Sequence, residues 1–348
     1  METTSRACCA VGLNVPEFAL HWCRKLGLPS ASLTQLRGGI NNLVYRCGSD
    51  ESCYVIKGYA PAIPGETDRM LAEVEFLQYA GLVAAQFVPS LLHVDVSQRC
   101  IVLEYVEGVL YQDGTSPGDE DVRLACVFFE RLNEDLSTAQ SYVHQNAAEA
   151  YLRLTDHLQN VQHRFSKMTT EHLLGDEKEL ASRLLSKLAN RIDLVYSETL
   201  DAITPGDVMD AINPDQFVLS PSDFGFHNAI RTSDGIKFFD FEFSGWDDPA
   251  KVLADFLLQP RVQVDSGYIS LIQTLFPDQG SHTYTRYKIL RRILRLKWAC
   301  IILSVLNPTR LHRITQVSVD GVTKDFLSMR LRNAEQYLEM EDGEFALH

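Results

Sequence analysis

The sequence predicts an α+β protein in two parts, an antiparallel sheet lobe with one main helix followed by a larger, mostly helical lobe. Three observations predict it. Between Leu33 and Val106, short β-branched and aromatic runs alternate with turn residues. From Glu120 to about Asp210, and again from Asp248 to Tyr337, apolar residues recur with a helical period. The 348 residues, 45% of them hydrophobic, exceed the usual domain size of about 100–200 residues and can fill more than one core.

Val15 to Leu28 reads as a short helix, with Pro16 near its start and Gly27 near its end. Leu33 to Leu36, Asn42 to Cys47 and Cys53 to Tyr59 read as strands, punctuated by Gly38-Gly39 and Gly48-Ser49-Asp50. Glu66 to Ala80 has Met70, Val74, Leu77 and Ala80 on one helical stripe. Strands follow at Ser90 to Val96 and Arg99 to Val106. The Gly- and Pro-containing, acid-rich segment Tyr111 to Asp121 marks the change to helices at Val122 to Leu132, Ala147 to Phe165 and Glu177 to Leu194. Short strands return at Phe217 to Ser220 and Ile236 to Phe239, read as the two arms of one hairpin. The expected organisation is an N-terminal helical extension over 1–30, a sheet-rich lobe over 31–107 and a larger helical lobe over 108–348.

Lys+Arg 32 against Asp+Glu 46 gives a net charge of −14, which disfavours nucleic acid and anionic lipid as partners. No run of about twenty apolar residues could cross a bilayer, and Met1-Glu2-Thr3-Thr4-Ser5-Arg6 is not the start of a secretory signal. The eight cysteines form no CxxC pair and read as buried free thiols, so a cytoplasmic location is expected.

Several residues carry chemistry. Gly38-Gly39-Ile40-Asn41-Asn42 lies at a strand–turn–strand position, where backbone amides can approach a phosphate, although such a turn also serves as a plain structural device. Lys57, flanked by apolar strand residues, can point from a sheet toward a phosphate. Such a lysine needs an anionic partner to fix it. Glu73 flanks the apolar stripe of the following helix and is better placed than Glu75 to face inward. Glu104 to Val106 closes an apolar strand with backbone groups free to meet an adenine edge. The strongest feature comes late. Asp223 and Asn228 follow one strand, and Asp240 ends another. Three convergent oxygen-bearing side chains suit Mg²⁺, a hard cation that keeps positions for water and phosphate. A carboxylate beside the metal can take the proton of an attacking hydroxyl.

Together these residues resemble the aminoglycoside phosphotransferase and choline kinase group of the protein kinase-like superfamily, over roughly Gln35 to Asp255. The resemblance implies a bilobal kinase-like fold and transfer of the γ-phosphoryl group of ATP or GTP, with Mg²⁺, to the hydroxyl of a small molecule. It implies a nucleotide loop at Gly38, Gly39 and Asn41, a phosphate-contacting Lys57 with Glu73 as its helix partner, and a hinge at Glu104 and Val106. It likewise implies a catalytic Asp223, metal ligands Asn228 and Asp240, and a buried structural Asp255. The chain departs from the family at Pro221-Ser222, where His-Gly is usual, and at His227, where a small residue is common. Asp255 is also offset by about two residues from the usual spacing. These departures keep a second class open, a kinase-shaped nucleotide-binding protein without turnover.

The acceptor is less legible. Glu130, Glu134, Asp135, Asp156 and Glu242 are candidate acid contacts, whereas Arg286, Lys288, Arg291, Arg292, Arg295 and Lys297 bring six cations to one helix. The plain expectation for that helix is a solvated basic face. The sharper one is an anionic acceptor or an acidic patch of the same chain. The sequence does not choose among amino sugar, sugar and amino alcohol, and it does not give the oligomeric state.

Overall fold

The computed structural model describes residues 15–36, 42–48, 52–63, 65–203, 211–268, 280–317 and 323–339. The chain forms two compact units, Met1–Pro61 with Leu92–Tyr105, and Ala62–Leu91 with Val106–His348.

The first unit is a sheet backed by a helix. The five strands β1 (Leu33–Gln35), β2 (Leu43–Gly48), β3 (Cys53–Gly58), β4 (Leu91–Asp95) and β5 (Cys100–Glu104) lie in the order β1-β2-β3-β5-β4. The pairs β1–β2, β2–β3 and β3–β5 are antiparallel, with Lys57 opposite Val44 on one side and Ile101 on the other. Helix α1 (Glu17–Lys25) starts after Pro16, where a missing N–H costs nothing. It packs Trp22 and Cys23 onto Cys47, Ile56, Cys100 and Val102 to make the core.

The second unit contains helix α2 (Arg69–Val83), whose start is capped by Asp68 accepting from Met70 N and Leu71 N. This helix is tied to the segment after Asp240: Phe76 stacks on Phe241 at 4.5 Å, and Ser244 Oγ donates to Ala72 O at 3.1 Å. The other long helices are α3 (Asp119–Asn133), α5 (Leu154–Ser166), α6 (Gly175–Ala202), α7 (Pro249–Leu258), α8 (Gly280–Ile302), α9 (Pro308–Val317) and α10 (Lys324–Glu339), with a single-turn α4 at Leu136–Gln140. Asp248 caps α7 by accepting from Ala250 N, with Pro249 as the first helical residue.

Two expectations are corrected. Val218–Ser220 (β7) does not pair with the returning strand. It pairs with Gly245–Asp247 (β10), while the hairpin is Ala229–Thr232 (β8) with Gly235–Phe238 (β9), extended on its other edge by Val109–Leu110 (β6). The helix expected from Ala147 begins only at Leu154, because Ala147 and Ala148 donate instead to Trp246 O and Phe243 O. Gly245 permits that close approach: a Cβ there would lie 2.5 Å from Gln145 O.

Candidate active site

The loop between β7 and β8 carries Asp223, and alternation along it sets the geometry. Phe224 and Phe226 are buried, Phe224 stacking on Phe256 of α7 and Phe226 tilted against it, and both meet Phe238 of β9. Asp223, Gly225 and His227 fall between them. Ser222 holds φ +67°, a left-handed backbone unfavourable to a residue with a Cβ, and its N–H is fixed on Ser220 Oγ at 2.9 Å.

Both carboxylate oxygens of Asp223 are engaged. His227 Nε2 lies 3.2 Å from Oδ1, and Asn228 Nδ2 donates to Oδ2 at 3.3 Å and to the Asp223 carbonyl at 3.1 Å. The side chain remains 35% exposed, so a further lone pair can meet a ligand. Burial pushes the carboxyl up, but the His227 imidazole and the Asn228 amide outweigh it and hold Asp223 below the ordinary carboxylate range. The group is therefore ionised at neutral pH.

Asn228 O accepts from Phe239 N at 3.0 Å, which sets Asn228 beside the chain entering Asp240. Asp240 adopts φ +69°, a conformation Asp tolerates better than most residues. The amide of Asn228 directs its nitrogen to Asp223, and no donor among the described residues reaches its Oδ1. An amide oxygen and the Asp240 carboxylate make an all-oxygen donor set. No group of three or more His, Cys, Asp or Glu is gathered into a cage among the described residues. An amide oxygen and one carboxylate are donors that Mg²⁺ can use, a cation that binds through one or two carboxylates plus phosphate oxygens and water.

Glu73, on α2, is buried at 1% exposure, whereas Glu75 faces outward to accept from His144 N. In the sheet unit, Lys57 is buried on β3 with its Nζ 5.4 Å from the centre of the Tyr59 ring. Glu104 ends β5 opposite Tyr54, and both Glu104 and Val106 are half-buried. Gly38, Gly39 and Asn41 lie outside the described residues.

Below the Asp223 loop, α7 and α8 share a buried charge network. Lys251 Nζ meets Asp247 at 2.6 Å and Asp255 at 3.4 Å, Lys297 Nζ meets Asp255 at 2.6 Å, and Arg286 Nε donates to Asp248 at 2.6 Å. Burial pushes the Asp247 carboxyl up to about 6 even beside Lys251. Asp255 is held below the usual range, because two lysines outweigh its burial.

The basic face of α8 is thus not solvated as expected. Arg286 and Lys297 are buried in ion pairs, Arg292 pairs with Glu198, and Arg295 lies 5.2 Å over the Tyr337 ring. Helix α8 packs against α5, α6, α7 and α10, and three of its cations, Arg286, Arg292 and Lys297, meet acids of the same chain. His227 is the contact that sequence reasoning did not assign. Its signal is an Asp and a His four residues apart in a loop, with a glycine between them.

No family model matches the sequence, and no curated protein matches it closely. Solved structures do match. A choline/ethanolamine kinase family protein from Mesorhizobium loti is 17% identical, with TM-score 0.51, covering 94% of this chain and 96% of that one. A choline kinase from Cryptosporidium parvum is 13% identical, with TM-score 0.54, covering 92% and 94%. A macrolide 2'-phosphotransferase from Brachybacterium faecium is 11% identical, with TM-score 0.52, covering 93% and 98%. At these identities the likeness is one of fold. The chain has the α+β protein kinase-like fold that these small-molecule phosphotransferases share.

Proposed function

We infer that the protein transfers the γ-phosphoryl group of ATP or GTP to a hydroxyl of a small metabolite such as an amino sugar, sugar or amino alcohol. The observation that supports it best is the Asp223 carboxylate, ionised, partly exposed and held at both oxygens beside an all-oxygen pair, Asn228 and Asp240.

In this reading Asp223 accepts a hydrogen bond from the acceptor hydroxyl and aligns its oxygen on the phosphorus. The acceptor O–P bond forms as the bond from phosphorus to the β–γ bridging oxygen breaks, and the hydroxyl proton passes to Asp223. Such a transfer asks mainly for positioning and charge stabilisation. Asn228 and Asp240 would hold Mg²⁺, which when bound neutralises charge on the phosphates. Lys57, Glu73 and the Gly38-Gly39-Asn41 segment would serve the nucleotide phosphates, and Glu104 and Val106 the base.

The test incubates the protein with ATP or GTP, Mg²⁺ and a panel of hydroxylated metabolites, and follows nucleotide consumption and new phosphorylated products by mass spectrometry. We expect one acceptor class to be phosphorylated, and Asp223→Asn to lose about 10²–10⁴-fold in turnover with nucleotide affinity retained. Nucleotide binding without Mg²⁺-dependent turnover on any acceptor would instead support a non-catalytic nucleotide-binding protein.

A further inference from the structure

We propose that His227 is the positioning residue for Asp223, fixing the carboxylate rotation that the transfer needs, and that Gly225 is small so that the imidazole can sit there. The inference rests on the kinase reading above and names a part of the site that the reading does not supply.

Three observations carry it. First, His227 Nε2 is the only side-chain contact to Asp223 Oδ1 among the described residues. The two residues that precede Asp223 offer no substitute. Pro221 has no side-chain donor, and Ser222 is held by its own N–H to Ser220 Oγ. Carboxylate rotation is soft in aspartate, so without a contact to Oδ1 only the 3.3 Å bond from Asn228 resists it.

Second, the imidazole is enclosed. The His227 side chain is 5% exposed, and its Nδ1 has no hydrogen-bond partner. Nε2 is the ring nitrogen turned to the Asp223 carboxylate, and Nδ1 is left facing no partner. A histidine kept in such a place gives up one polar contact in order to make the other.

Third, Gly225 makes the room. A Cβ at residue 225 would lie 2.9 Å from His227 Nδ1 and 3.2 Å from Cε1, with Gln259 Cγ at 3.4 Å on the same side. Its φ of 168° is ordinary extended backbone, so no turn requires glycine. The space is needed for the imidazole. Phe224 and Phe226, buried against Phe256, keep the backbone from shifting to relieve such a clash.

The experiment compares the unaltered protein with His227→Ala, His227→Gln and Gly225→Ala, using MgATP and the acceptor found by the panel. His227→Ala should lower kcat by about 10–100-fold while KM for ATP stays within about twofold, the signature of lost orientation at the reacting atoms. His227→Gln, which can place an amide N–H near the Nε2 position, should recover most of that loss. Gly225→Ala should reproduce part of it by pushing the imidazole. Unchanged kcat in His227→Ala, or a glutamine variant as slow as the alanine one, overturns the proposal. A second measurement needs no turnover: the ¹⁵N spectrum of labelled histidine should show the His227 ring signals shifted in Asp223→Ala. An unchanged spectrum overturns the proposal as well. An unaltered protein inactive on every acceptor removes the kinase reading itself, and that failure is distinct from an active protein indifferent to His227.

Discussion

Lys297 Nζ and Asp255 Oδ1 lie 2.6 Å apart across 42 residues of sequence, both side chains buried, joining α8 to α7. Asp255 also accepts from Trp298 Nε1 at 3.0 Å and faces Lys251 at 3.4 Å. Removing the acid leaves buried cations uncompensated, so Asp255→Leu should cost about 3–5 kcal/mol. Replacing both partners, Asp255→Leu with Lys297→Met, should cost less than the single change, because the stranded charge goes too. Denaturant unfolding of the two variants checks this.

His157 lies in the same buried neighbourhood. Burial, then the Lys251, Lys297 and Arg286 charges, holds its imidazole well below the usual value, although Asp255 pulls the other way. The unfolded chain takes a proton at His157 as pH drops below about 6.5, whereas the folded chain resists. Stability therefore falls with decreasing pH there, by at most about 1.4 kcal/mol per pH unit for one group. Asp247, with its pKa raised to about 6, binds its proton first in the folded state and acts in the opposite sense. The comparison that isolates His157 is His157→Gln, which should gain stability relative to the unaltered protein as pH goes from 7.5 to about 5.5, read from the unfolding midpoints at the two pH values.

Lys57 is buried on a strand, with Val44 and Ile101 opposite it. Lys57→Met keeps the stem and removes the charge. We expect nucleotide affinity or turnover to fall at least about tenfold with the sheet unit intact, since a phosphate-directed ammonium contributes through charge. Isothermal titration with MgATP and a far-ultraviolet dichroism spectrum separate the two effects. Unaltered affinity and turnover would leave Lys57 with a structural role.

Cys47 and Cys23 approach to 3.1 Å between sulfurs in the sheet-unit core. Burial, with Cys23 alongside, pushes the Cys47 thiol up to about 12, and burial likewise raises Cys100 and Cys300 to about 12 and Cys126 to about 11. The thiolate is the reactive form, so these four should resist alkylation at pH 8 in the folded protein. Among the described cysteines, Cys53, half-buried, should react first. Peptide mapping after timed iodoacetamide treatment, with a denatured control, reads this order.

Local patterns in the sequence are enough to indicate the strands around Lys57 and the inward-facing Glu73, because both follow from apolar spacing over a few residues. Pairings that join distant segments are not legible in that way. β7 meets β10 rather than the nearer β9, and Ala147 is drawn out of a helical pattern by Trp246 O. Helix α8 has the same origin: Asp248, Asp255 and Glu198, its acid partners, are invisible in a count of its own charges. The Asp223–His227 contact depends on a side-chain rotamer, which spacing alone does not report.

The sheet unit is discontinuous in sequence, since Met1–Pro61 is completed by Leu92–Tyr105 only after Ala62–Leu91 has joined the other unit. A fragment ending at Pro61 would lack β5, the strand that sits between β3 and β4, and would expose the β3 edge. No single cut therefore releases the sheet unit whole. During synthesis its closing strands emerge only after α2, so the unit cannot finish folding as an independent N-terminal piece.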